Sequence, residues 1–237
     1  MKNLNRETSN SFQVNYLLKK YNIEATLEDI EKLSKIIKNS IEFNKKLYEI
    51  GLLEGVSLAI GVEDLIEIFM LRSEVYKEMN YDSEFPEIIK GLNFDEYDEY
   101  SAIIYTKKDV ITGTCRIIFD LADKKLPIDE KFSLDYLRNK NKIFGELSRA
   151  IIKNRVGLKQ EFKLLTIDSY RVFNAYNIDA VSVLTPEHLK LYQNFGGISI
   201  EKEFQGYGTI DKLFLIIFWN HSELSPFFKR VFLRNIE

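Results

Sequence analysis

Cysteine occurs once in this 237-residue chain, at Cys115, so no disulfide closes within it and a cysteine-based zinc site lacks its ligands. A single thiol fits a reducing, cytoplasmic setting. Histidine occurs twice, at His188 and His221, and neither falls beside a serine and an acid in a recognisable triad or at metal-ligand spacing. A hydrolase and a metalloenzyme are therefore set aside, and no metal is expected. Apolar runs of membrane-spanning length are missing, and the stretch from Met1 to Asn10 is polar with no apolar signal core, so no integral membrane segment is expected. A large excess of either charge is missing too. The formal charge of -3 exerts no global pull on nucleic acid, so any partner must be recognised locally. Internal repeats and low-complexity tracts are also absent.

What is present is a chain that is 45% hydrophobic and 29% charged, long enough to bury roughly 70–75% of its unfolded surface. Residues 1 to 25 carry few signals beyond Phe12, Tyr16, Leu17 and Leu18, which fit a short amphipathic turn. Thr26 with Asp29 resembles an N-cap and its third-position acid. Ile30, Leu33, Ile37, Ile41 and Tyr48 then recur at helical spacing until Gly51 and Gly55 end the helix. A strand is expected at Ser57 to Ile60 and a helix at Val62 to Met79. That helix carries Arg72 on the apolar face of Leu65, Phe69 and Tyr76, either snorkelling past the core edge or held by a carboxylate. Residues 78 to 99 are strongly acidic, with Lys90 the lone cation, and fit a solvated loop.

Tyr100 to Tyr105 and Thr112 to Phe119 form an expected antiparallel hairpin across Lys107, Lys108 and Asp109, with Arg116 sharing a face with Thr114 and Ile118. A short helix at Phe132 to Arg138 precedes a strand between Lys142 and Lys153. Later come a helix at Gln160 to Asn174, a strand at Ala180 to Leu184 and a proline-started helix at Pro186 to Asn194. Strands at Ile198 to Phe204 and Lys212 to Trp219 and a short basic tail finish the chain. This order predicts one mixed α/β domain over residues 56 to 237, with residues 1 to 55 a helical extension.

The strand at 142 to 153 is the anomaly, because Glu146 and Arg149 interrupt Ile143, Phe144, Leu147, Ile151 and Ile152. Ionised groups in a core strand must be paired or neutralised. A spacing of three sends them to opposite faces of a regular strand. Either a bulge near Ser148 turns both toward one cleft, together with free backbone N–H, or the strand lies at an edge and both charges are solvated.

Five patterns in order, Arg72-Ser-Glu-Val75-Tyr76, Asp95-Glu-Tyr97-Asp98, Gly113-Thr-Cys-Arg116, Glu146-Leu-Ser-Arg149 and Tyr192-Gln-Asn-Phe195-Gly196, resemble the acyl-homoserine-lactone (autoinducer) synthases and the long-chain N-acyl amino acid synthases of the GNAT superfamily. The resemblance spans residues 57 to 219. It implies a GNAT-like α/β fold, with a mixed, largely antiparallel sheet flanked by helices and an acyl thioester bound where the sheet splays. The autoinducer synthases carry a tryptophan between the first two patterns, near their S-adenosylmethionine, whereas the sole tryptophan here is Trp219. An amino acid is therefore the expected acceptor, with S-adenosylmethionine the alternative. The stretch from Asn154 to Gln160 has one glycine, Gly157, where acetyl-CoA enzymes have a glycine-rich pyrophosphate loop.

The resemblance further implies an N-acyltransferase with no tightly bound cofactor, whose donor is a fatty acyl-ACP (acyl carrier protein) or acyl-CoA thioester. Glu146 is the expected base. Tyr192 is either the acid for the departing thiolate or an aromatic packed under the last strands. Arg72, Tyr76, Asp95, Asp98, Arg116 and Arg149 are expected to shape the acceptor pocket. Arg138, Lys140, Lys142, Lys153, Arg155, Lys159 and Lys163 form either a docking patch for an acidic carrier protein or a solvated surface. A non-catalytic acyl- or carrier-binding module is the reading from another class.

Overall fold

A computed structural model describes residues 4–138, 143–153, 158–207 and 210–234; side chains are described for these except 4–9, 48, 136, 158–159 and 199–207. The chain begins with two helices, α1 (Leu4–Lys20) and α2 (Leu27–Lys46). The expected N-cap of α2 is present as a reciprocal box: Asp29 N–H donates to Thr26 Oγ1 and Thr26 N–H donates to Asp29 Oδ2, each at 3.2 Å. The short turn expected before it is instead the 17-residue α1. The face of α1 that packs is Val14, Leu17 and Leu18, all buried, while Phe12 and Tyr16 face outward. The polar positions between those three residues concealed the helical period.

β1 (Val56–Leu58) leads into α3 (Val62–Glu78), and the hairpin β2 (Ser101–Lys107) and β3 (Ile111–Phe119) follows. A 3-10 turn at Pro127–Glu130 and one turn of helix, α4 (Asp135–Arg138), precede β4 (Phe144–Ile152). Then come α5 (Leu158–Ala175), β5 (Asp179–Leu184), α6 (Pro186–Asn194), β6 (Ile198–Tyr207) and β7 (Ile210–Trp219). The chain ends in Pro226–Phe228 and a π-helical turn at Lys229–Leu233.

Among the described residues one sheet runs in the order β1-β2-β3-β4-β5-β7-β6, antiparallel throughout except between β4 and β5. β2 and β3 are covered on both faces, which matches their unbroken apolar character. On one face α1, α2 and α3 pack Leu18, Leu33, Ile37, Leu65 and Phe69 against Ile103 and Ile151. On the other, α5 packs Leu165, Val172 and Phe173 against Cys115 and Ile117. Where β1 stops, the buried side chain of Asn44 takes its place beside β2, accepting from Ile103 N–H at 2.9 Å and donating to Ser101 C=O at 3.0 Å. That closes a backbone edge which would otherwise be buried without partners.

The parallel join is narrow. Only Phe144, Gly145 and Glu146 pair with Asp179, Ala180 and Val181; beyond them β4 and β5 diverge. Gly145 is needed there, since a Cβ would stand 2.9 Å from the Phe173 ring and 3.1 Å from Ile117. The close approach of α5 to the sheet thus begins where the splay begins.

Candidate active site

The register of β3 on β4 shifts between Thr114 and Arg116: Thr114 faces Ile151 and Arg116 faces Ser148. Two residues, Arg149 and Ala150, therefore oppose the single Cys115. This is the expected bulge, one residue beyond Ser148. Arg149 adopts φ +51°, a left-handed conformation that costs a side-chain-bearing residue roughly 1–2 kcal/mol and persists only where its surroundings fix it. The consequence is directional. Ser148 and Arg149 both turn to the face of Arg116, and Ala150 turns to the face of α5.

On the first face lies an ionic cluster. Arg72 and Asp98, both fully buried, meet at 2.8 Å. Arg116 reaches Asp95 at 2.5 Å and Asp98 at 3.1 Å, and its Nε donates to Ser148 Oγ at 3.0 Å. Arg149 donates to Asp95 at 2.7 Å and to Asn93, and its guanidinium lies against the paired rings of Tyr76 and Phe85, 5.1 and 4.7 Å from their centroids. Asp95 and Asp98 are locked to each other's turn, since Asp98 Oδ2 accepts Asp95 N–H at 3.0 Å and Asp95 Oδ1 accepts Tyr97 N–H at 3.0 Å. Burial resists ionisation of Asp95, yet Arg116 and Arg149 hold it well below the usual carboxylate range. Burial likewise opposes the charge on Arg116, and Asp95 and Asp98 more than offset it. Burial weakens the charged form of Arg72, whose Nε and Nη2 have no hydrogen-bond partner among the described residues. Three guanidiniums against two carboxylates leave the cluster one positive charge in excess.

Glu146 is on the same face, opposite Ile118 in the register, and is 5% exposed. Its Oε2 accepts Ile128 N–H at 2.9 Å. Burial pushes its pKa up to about 7, against the opposing pull of that N–H and of Arg116. A carboxyl so placed has appreciable populations of acid and base at neutral pH. The loop that supplies Ile128 is clamped by Arg138, which meets Asp120 at 2.7 and 3.0 Å and Asp129 at 2.8 and 2.6 Å. Asp129 in turn accepts the backbone N–H of Leu126 and Leu134.

The opposite face of β4 borders an apolar cavity of about 560 Å³ between the splayed strands, α5, α6 and the C-terminal turn. Leu147, Ala150, Phe173, Tyr192, Trp219 and Phe228 are among its walls. Tyr192 packs edge-on against Trp219 and Phe195, and burial together with the neighbouring Cys115 thiol raises its hydroxyl's pKa. Burial also pushes the Cys115 thiol up to about 11, so it is held as an inert thiol. A polar face and an apolar face thus meet at one bulged strand, which suits a reaction joining an amine to a fatty thioester.

The family model described as N-acyl amino acid synthase FeeM matches residues 67–214, more than half of the chain. The chain belongs to the FeeM family of N-acyl amino acid synthases. Its enzymes transfer acyl groups to an amine. The fold is similar to that of FeeM, an N-acyl amino acid synthase from uncultured soil microbes, at 14% identity and TM-score 0.58 over 77% of this chain and 97% of that one. It is also similar to MesI, a CoA-dependent acyl-homoserine lactone synthase, at 13% identity and TM-score 0.55 over 80% and 91%. A third is BjaI, another such synthase, solved with SAM and isopentyl-CoA, at 14% identity and TM-score 0.54 over 79% and 85%. No curated protein matches the chain. The GNAT-like α/β fold expected from the five patterns is the fold found.

In this FeeM-family chain the structure gathers Arg72, Tyr76, Asp95, Asp98, Arg116 and Arg149 into one cluster with Glu146 on the same face, and puts Tyr192 across the sheet on the cavity side. Several partners had no sequence signal: Asn93, Phe85 and the Ile128 loop. The acidic stretch is only partly solvated, because Asp95 and Asp98 enter the cluster and Glu87 binds Ser73, Lys77 and the N–H of Gly91. Of the basic run, Arg138 is committed to Asp120 and Asp129, and Lys153 meets Glu74 at 2.5 Å. Lys140, Lys142 and Arg155, and the side chain of Lys159, lie outside the described residues. His221, set aside for want of a neighbouring acid in sequence, has one in space: its Nδ1 is 2.9 Å from Asp179. Among the described residues no His, Cys, Asp and Glu cluster is arranged to hold a metal ion, and no helix is long and apolar enough to cross a membrane.

Proposed function

We propose that this enzyme moves a fatty acyl group from the phosphopantetheine thioester of an acyl carrier protein to the α-amine of an amino acid. The observation that carries the reading is the division at the bulge, with an ionic cluster one positive charge in excess on one face of β4 and an apolar cavity on the other. The acceptor's carboxylate compensates the excess charge, and the donor's chain fills the cavity. An amine bound over the cluster loses a proton to the ionised fraction of Glu146, directly or through one water. Its lone pair attacks the thioester carbonyl, and the oxyanion is met by backbone N–H that the bulge releases from the ladder at Arg149 and Ala150. Collapse breaks the C–S bond, Tyr192 protonates the departing thiolate, and the second proton of the nitrogen passes through water to the Tyr192 phenolate, leaving a neutral amide, the free carrier thiol and a proton on Glu146 that returns to solvent.

A carrier protein is favoured over CoA by Glu161 in the first turn of α5. It is buried, and among the described residues neither carboxylate oxygen has a hydrogen-bond partner and Lys108 lies 3.6 Å away. A CoA pyrophosphate at that helix start would meet a like charge, whereas a carrier's single phosphate can stay outside. The domain reading keeps residues 1–55 as an extension and 56–237 as the acyltransferase, supported by a family match that begins at residue 67. A cytoplasmic location, where carrier proteins and free amino acids meet, completes it.

The test is to incubate the protein with long-chain acyl carrier protein or acyl-CoA, pooled amino acids and S-adenosylmethionine, and to identify products by mass spectrometry. N-acyl amino acids from the carrier donor are expected. A lactone made from S-adenosylmethionine, or turnover with CoA alone, would replace the acceptor or donor assignment respectively.

A further inference from the structure

The polar end of the apolar cavity takes no part in the acyl transfer itself. Asn220 and His221 line the wall beyond Trp219, next to Asp179 at the first residue of β5. Asp179 Oδ1 accepts the backbone N–H of His221 at 3.1 Å and lies 2.9 Å from its Nδ1. An oxygen already accepting a backbone donor takes Nδ1 as a second donor, which leaves the other ring nitrogen, Nε2, as the acceptor. Nε2 has no partner among the described residues. Asn220 is fixed the other way round: its Oδ1 accepts from Ser222 N–H at 3.1 Å and Ser222 Oγ at 2.8 Å, so its Nδ2 is an uncommitted donor. One acceptor and one donor on adjacent residues, in a wall that is otherwise largely apolar, match the two hydrogen-bonding functions of a hydroxyl group.

The position along the cavity is also defined. Asp179 pairs with Phe144, the first residue of β4, whereas the bulge is at Arg149 and Ala150. Six residues of strand place the pair roughly 20 Å from the bulge. With the thioester carbonyl at the bulge, the pair stands where the chain ends, not where it reacts.

We propose that Asn220 and His221, oriented by Asp179, form a subsite for a hydroxyl group at the far end of the acyl chain. The subsite rests on the reading that the cavity holds the donor's chain. An acyl group carrying a terminal hydroxyl donates to His221 Nε2 and accepts from Asn220 Nδ2. A methyl-ended chain leaves both groups unpaired, and a site built to bind a hydroxyl rejects an analogue lacking it.

Binding of free fatty acids tests this without any turnover. Calorimetry on the full chain would compare ω-hydroxy acids of about 14 to 18 carbons, the lengths whose extended chains approach roughly 20 Å, with their methyl-ended and ω-carboxy counterparts. At one chain length the ω-hydroxy acid is expected to bind about tenfold tighter than the methyl-ended acid, with the order reversed in His221→Phe and partly restored in His221→Gln. A methyl-ended preference of equal size at every length in the native protein and in His221→Phe overturns the subsite and leaves the cavity as a plain acyl site. An ω-carboxy preference overturns it in favour of an anion. Binding of no fatty chain overturns both the subsite and the acyl reading beneath it. If His221→Phe does not fold, the native protein's own preference decides.

Discussion

Replacing Glu146 with glutamine should stabilise the protein above neutral pH while sharply lowering its turnover. The carboxyl's pKa rises from 4.5 in the unfolded chain to about 7 in the fold. A folded state that holds its proton more tightly than the unfolded state is favoured at low pH. That advantage is lost as pH climbs from 4.5 through 7 and stays lost above it. The gap of about 2.5 corresponds to about 3 kcal/mol, with most of the loss falling between pH 5 and 8.5. Glutamine escapes the loss because it has no charge to desolvate, and its amide oxygen can still accept Ile128 N–H. Urea unfolding of both proteins at pH 5 and pH 8.5 should therefore give similar midpoints at the lower pH and a variant more stable by about 2–3 kcal/mol at the higher. In the native enzyme kcat/KM should rise with pH through a limb near 7, and Glu146→Gln should lose about 10²–10⁴ of it. Parallel stability curves for the two proteins would mean that Glu146 ionises as freely as a surface carboxylate. A glutamine variant that folds and turns over fully would remove Glu146 as the base.

Three further outcomes rest on the same contacts. Asp98→Asn should cost about 3–5 kcal/mol in denaturant unfolding, because it strips the shared counter-charge from Arg72 and Arg116, both buried; a cost below about 1 kcal/mol would mean the cluster is solvated. Arg138→Met should free the loop that donates Ile128 N–H, and losing that donor moves the Glu146 limb of the pH–rate profile upward, while an unchanged limb would show that the clamp acts on stability alone. Ala180→Phe fills the cavity floor beside Trp219 and should shift donor preference toward shorter acyl chains with the amino acid KM unchanged, as read by competition between chain lengths.

The helices and strands that carry long apolar periods were legible in the sequence: α2, α3, the β2–β3 hairpin, α5, β5, α6 and β7. α1 was not, because its buried side is only Val14, Leu17 and Leu18 among polar neighbours. The bulge was legible as a contradiction, since two charges three apart in a core strand have few other solutions. What the sequence does not contain is the third dimension of the cluster. Asn93 and Phe85 close on Arg149 from a segment whose acidic composition suggests solvent. Asp179 and His221 are 42 positions apart and meet because β5 and β7 are neighbours in the sheet. Arg138 looked like a free cation for docking because two of its acids, Asp120 and Asp129, are spread over a stretch with no periodicity.

The three-pair join between β4 and β5 divides the labour of the molecule at a single hinge line. Every charged group that handles the amine is contributed before residue 150, by α3, the turn at Asp95, β3 and β4, whereas most of the cavity wall comes from later in the chain. Changes of taste in fatty tail and changes of taste in nucleophile can therefore arise in separate halves of the gene, each inherited without retuning the other.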